Sequence, residues 1–177
     1  MSNKPKMTKD TVPENFTLSL AFVDALPVLF FGGSMILIGL LFGSPLFLIG
    51  AALCFWAGAA KVLWKIIVVT KKKNIWWMFL QMRLVMPIGF VLMLLAVILN
   101  RNAIDLSAVF SAVISLPSVL FFAAGGIGMV LMGVFAAKLD SADVRSNWIE
   151  QLTNTIAQAA IFVGILLLVM AKSHFLR

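Results

Sequence analysis

The sequence predicts an all-α integral membrane protein with five transmembrane helices and a short amphipathic helix at the membrane interface. Three observations predict it. The first is composition. Of the 177 residues, 62% are hydrophobic and 12% are charged, and mean hydropathy is +1.07, whereas soluble domains are nearer half apolar and a quarter charged. The second is length: the apolar residues fall into five runs of about 20, enough for a helix rising 1.5 Å per residue to cross a hydrocarbon core of ~30 Å. A soluble chain of this length cannot hide so much apolar surface. The third is that Lys and Arg collect in the breaks that fall on one side.

The elements follow in order within one multi-pass domain, 1–177. Residues 1–15, with Lys4, Lys6 and Lys9, form a basic tail; the run after it is too long for a signal peptide's apolar region. The first span covers about 22–42. The stretch Thr11-Val12-Pro13-Glu14 resembles a capping box, so this helix is expected to start near Val12. "GSP" at 43–45 is a tight turn into a second span, about 45–64, that continues helically towards Val69. The charged loop "TKKKN" leads to a third span, about 77–99. Ser107, Ser111 and Ser115 then recur every fourth residue beside Leu106, Val109, Phe110, Val113 and Ile114, the pattern of a short amphipathic helix. Pro117 opens the fourth span, about 117–137. "KLDSADVRSN" is a loop, and the fifth span covers about 148–170.

Charge sets the orientation. Five spans put the N-terminal tail and the second-to-third and fourth-to-fifth loops on one side. Of the 14 Lys and Arg residues, only Arg101, Lys172 and Arg177 fall on the other. The positive-inside rule therefore predicts a cell-membrane protein with a cytoplasmic N-terminus and an external C-terminus. Trp64, Trp76, Trp77 and Trp148 map to the same cytoplasmic interface. The net charge of +7 is thus read as facing anionic lipid, and no nucleic-acid partner is expected.

Composition also narrows the chemistry. Cys54 is the single cysteine and His174 the single histidine, so neither a disulfide nor a multi-ligand metal site is expected, and no cofactor. No Ser-His or His-rich arrangement is present, and a catalytic role is not expected. Small residues recur at helical spacing: Gly39 and Gly43; Gly50, Cys54 and Gly58; Ala124 and Gly128. Such rows let helices approach closely. The ends "AAK…NIWW" and "AAK…SNW" hint at a repeated hairpin.

The candidate site is polar. Asp24, Arg83 and Glu150 lie at or inside span boundaries on the cytoplasmic side, and Gln81 adds an amide. Charges within a span usually face the bundle interior or a wet cavity with a partner, so Arg83 is expected to pair with Asp24 or Glu150 or else to snorkel. Lys61 and Lys65 are expected to snorkel to the headgroups. Asn147, Gln151, Asn154 and Gln158, spaced 4, 3 and 4, form one stripe of the last helix. Asn147 and Glu150 also fit an N-terminal capping box. The expected function is transport or binding of a small polar or anionic ligand in a cytoplasm-facing polar vestibule formed by Asp24, Gln81, Arg83, Glu150, Gln151, Asn154 and Gln158. The alternative is a non-catalytic subunit or assembly factor. It would use the amide stripe and glycine rows to bind a membrane partner subunit or another copy, with the lipid bilayer as surroundings in either case.

Overall fold

A computed structural model describes residues 17–139 and 143–170. Every described element is helical: α1 Leu18–Phe42, α2 Pro45–Lys71, α3 Trp76–Leu80, α4 Met82–Leu99, α5 Leu106–Ile114, α6 Ser118–Lys138 and α7 Val144–Met170, with a 3₁₀ turn over Arg101–Ala103. Five helices are long and apolar enough to cross a membrane, counting Trp76–Leu99 as one. Their outer faces carry exposed Leu40, Trp56, Leu84, Leu94 and Val130, the reverse of a surface suited to water.

Local chemistry explains the boundaries. Thr17 caps α1, its side chain accepting from the Leu20 amide; the Thr11–Glu14 stretch and the basic tail lie outside the described residues. At the "GSP" turn Gly43 ends α1 in the left-handed region (φ 57). Ser44 then caps α2 through the Phe47 amide, and Pro45 opens it, so each residue of the turn satisfies a helix-end requirement. Asp105 caps α5, its carboxylate accepting from the Ser107 and Ala108 amides.

Two boundaries differ from the sequence reading. The α7 helix starts at Val144, a turn before Trp148, and its cap is Asp143 rather than Asn147. The Asp143 carboxylate accepts from both the Ser146 hydroxyl and the Ser146 amide at 2.8 Å. These bonds, the hydroxyl's first, hold that carboxyl below its ordinary range. The third span is interrupted at Gln81, between α3 and α4. There the Gln81 amide donates to the Ala57 carbonyl of α2 at 3.0 Å and to Met78 O at 3.3 Å.

The spans pack in the order α4, α2, α1, α7, α6. The helix α1 thus lies between two hairpins, α2 with α4 and α6 with α7. Small residues permit the close crossings. A Cβ on Gly50 would lie 2.6 Å from the Gly89 carbonyl, and one on Gly89 would lie 2.5 Å from Cys54 Sγ. On the other side a Cβ on Gly128 would lie 2.5 Å from the Ala157 Cβ. Buried Phe47, Ala51, Cys54, Met93 and Ala96 form the α2–α4 core, with a second cluster of Trp64, Val68 and Met78 near the α3 end.

Candidate functional site

The end of the bundle where α1, α3 and α7 begin also receives the ends of α2 and α6, and with them Lys71 and Lys138. This basic end holds the charged side chains of the spans. Asp24 of α1 and Lys65 of α2 form an ion pair at 2.7 Å, with side chains 11% and 7% exposed respectively. Lys65 therefore turns inward instead of snorkelling. Burying both charges is tolerable because they neutralise each other at contact; either alone would carry a desolvation cost of several kcal/mol, order of magnitude. Lys61, partly buried one turn along α2, lies in the electrostatic field of Lys65, Asp24 and Glu150. Asp24 and Glu150 thus belong to a cluster with two lysines.

Arg83 does not join that pair. Its side chain is exposed, it makes an ion pair with neither Asp24 nor Glu150, and its guanidinium sits 5.5 Å from the centre of the Phe79 ring. Phe79 is itself held between Trp64 and Trp76, with ring centroids 5.1 Å from each. Lys65 takes the place beside Asp24 that was expected of Arg83.

The amide stripe of α7 divides. Asn147 is buried, and Gln151 Oε1 is buried without a hydrogen-bond partner among the described residues, as is Gln81 Oε1. Asn154 and Gln158, further along, line a cavity of about 320 Å³. Its other walls come from four more spans: Pro27, Val28 and Phe31 of α1, Cys54 and Gly58 of α2, Met86 and Phe90 of α4, and Met129 of α6. The ends of the packing row, α4 and α6, do not form a packed pair, yet both line this cavity. The row therefore curls, and a cleft opens between its ends. Gln158 Nε2 reaches Met129 Sδ at 3.5 Å, a weak contact. Gln81, Gln151 and Glu150 are not among the lining residues.

The wall of the cleft is built around a proline. Pro27 has no N–H to offer the carbonyl of Val23, and the Thr155 hydroxyl of α7 lies 3.5 Å from that oxygen while also donating to Gln151 O at 2.8 Å. A neighbouring helix thus answers the carbonyl that proline releases. The Cys54 thiol similarly donates to the Met86 carbonyl at 3.5 Å, across α2 and α4.

Sequence reasoning missed Lys65, Thr155 and the apolar cleft walls. For Lys65 a signal existed. Cys54, Gly58, Lys61 and Lys65 are spaced 4, 3 and 4, so the lysines share a stripe with small residues that face other helices. A second cavity, about 280 Å³ at the opposite end beside α5, is walled wholly by apolar residues including Phe42, Val109, Phe122 and Ile165, with no group to orient a ligand. Among the described residues no three His, Cys, Asp or Glu side chains gather as metal ligands. Comparison with known proteins finds no match to this chain: no family model, no curated protein and no solved structure.

Proposed function

We propose that this chain is a multi-pass membrane protein, non-catalytic, that binds or transports a small ligand through the cleft between α4 and α6. The basic end faces the cytoplasm, so the N-terminus is cytoplasmic and the C-terminus external. One observation carries the reading. A cavity of about 320 Å³ is lined by all five spans and offers two amides, Asn154 and Gln158, among apolar side chains. That is the composition of a ligand site: mostly apolar walls with a few placed polar groups, at the small end of the usual volume range. Asn154 has no hydrogen-bond partner among the described residues, so its amide is available to a ligand. The ligand has an apolar body and a polar group near its middle.

Thermal stability of the purified chain, screened against amphipathic compounds, tests this. Asn154→Leu and Gln158→Leu should each remove most of a ligand's stabilising shift while leaving the unliganded midpoint within a few degrees. Shifts that survive in both variants place the ligand elsewhere and reject the cleft.

A second reading has its own observation. Gly126 and Gly133 of α6 face open space, and small residues on an unopposed helix face suit helix association. In that reading α6 pairs with another copy or a partner subunit. A monomer by light scattering in mild detergent, unchanged by Gly126→Leu, counts against self-association.

A further inference from the structure

Arg83, Met86 and Phe90 are spaced 3 and 4 on α4, so they share one stripe of that helix. Met86 and Phe90 line the cleft. Arg83 is therefore the next group along the same wall, roughly 4.5 Å nearer the basic end. On α2, packed beside α4, Gly58 lines the cleft and Lys61 follows it by three residues, again towards the basic end. Arg83 thus stands at the rim of the α4 wall. Lys61 stands with Lys65 among the carboxylates of Asp24 and Glu150, two cations against two anions, and Arg83 has no part in that set. Arg83 is exposed and makes no ion pair with a described carboxylate.

Three layers follow in depth. A cation, Arg83, stands at the rim. Asn154 and Gln158 lie within. Phe31, Phe90, Met86 and Met129 make up the apolar walls. A small hydrophilic anion would satisfy the rim and leave the apolar walls without a partner. A neutral hydrocarbon would fill the walls and leave the guanidinium unmatched. One chemistry matches all three layers: an anionic head, a polar linkage and a hydrocarbon chain.

We propose that the cleft binds an anionic glycerophospholipid taken sideways from the cytoplasmic leaflet through the gap between α4 and α6. Its phosphate meets Arg83, its ester linkage meets the Asn154 and Gln158 amides, and an acyl chain lies against Phe31, Phe90 and Met129. Arg83 suits this role because its planar fork binds phosphate bidentately, and because the Phe79 ring restrains it at the rim. The inference rests on the cleft being a ligand site and adds the ligand's charge, linkage and route of entry.

The test measures binding of phosphatidylglycerol and of phosphatidylcholine with identical acyl chains to the full-length protein in detergent, by native mass spectrometry. Glycerol 3-phosphate serves as the headgroup alone. The expected result is about tenfold preference for phosphatidylglycerol, because the choline cation of phosphatidylcholine offsets the pull of Arg83 on the phosphate that both lipids carry, and no retained glycerol 3-phosphate. Arg83→Gln should erase most of that preference, Arg83→Lys should keep part of it, and Asn154→Leu should weaken both lipids. Lys71→Gln, at an exposed cation away from the cleft, should change nothing. Equal binding of the two lipids with loss in Asn154→Leu overturns the anionic lipid and leaves the cleft reading standing. Binding indifferent to every variant overturns both. A preference that falls as much in Lys71→Gln as in Arg83→Gln shows general surface attraction and overturns the assignment to Arg83, as does retention of glycerol 3-phosphate.

Discussion

Among single residues, Asp24 and Lys65 have the most at stake. Each is tolerable in the interior because the other is 2.7 Å away. Asp24→Asn leaves an ammonium buried against a neutral amide, and removing one partner of a buried pair costs about 3–5 kcal/mol. Lys65→Met leaves the carboxylate and should cost a similar amount. The double variant removes both charges, and its cost should fall well below the sum of the two single ones. Denaturant titration of the purified protein checks this through the coupling between the two sites. Additive losses would mean that the two side chains do not depend on each other. Sequence alone did not place this pair, because Lys65 on an apolar run reads as a snorkelling lysine until the direction of its stripe is known. Thr155 is a similar case. Its role depends on Pro27, 128 positions earlier, whose missing N–H exposes a carbonyl only a neighbouring helix can reach.

Elements were legible where chemistry is local. Five apolar runs appear as five long helices, "GSP" is a double cap, and the serine-spaced segment is α5. They were not legible where a boundary depends on a distant partner. Gln81 interrupts the third span at the point where its amide reaches Ala57 O on another helix, and Asp143 looks like one more loop residue until Ser146 donates to it. The order of packing was equally hidden, because helices apolar on every face carry no stripe that names a neighbour. The hint of a repeated hairpin meets a structural asymmetry: α1 packs against α2, the first helix of one hairpin, but against α7, the second helix of the other. Close approach between elements also makes a prediction. At Gly89 an added side chain meets the backbone of Gly50 at 2.6 Å, and a backbone oxygen cannot swing aside. Gly89→Leu should force α2 and α4 apart and destabilise by about 1–3 kcal/mol or more. Gly126 has open space around it, so Gly126→Ala should be neutral or stabilise by about 0.5–1 kcal/mol through better helix propensity. Equal effects at the two positions would contradict the tight α2–α4 crossing.

The whole molecule is an arc of five long helices with charge concentrated at one end and a cleft where the arc fails to close. Its orientation decides which leaflet can supply a ligand to that cleft, so orientation and the lipid proposal stand on a common base. A cytoplasmic basic end is expected from the distribution of Lys and Arg, since chain segments rich in these residues resist translocation. Two loops separate the alternatives. Lys73 lies between α2 and α3 at the basic end, and Asn102 lies in the turn after α4 at the opposite end; both are exposed. With Cys54, the single cysteine, replaced by serine, Asn102→Cys should react with a membrane-impermeant maleimide on intact cells. Lys73→Cys should react only after permeabilisation. The reverse pattern would turn the protein over and move the cleft's charged rim to the external leaflet. Labelling of both positions on intact cells would mean that α3 and α4 do not cross the membrane at all. The expected pattern leaves Arg83 about 9 Å beyond Trp77 along the helix path, at the depth where a guanidinium can still reach a cytoplasmic-leaflet phosphate while the residues after it, Met86 and Phe90, meet hydrocarbon.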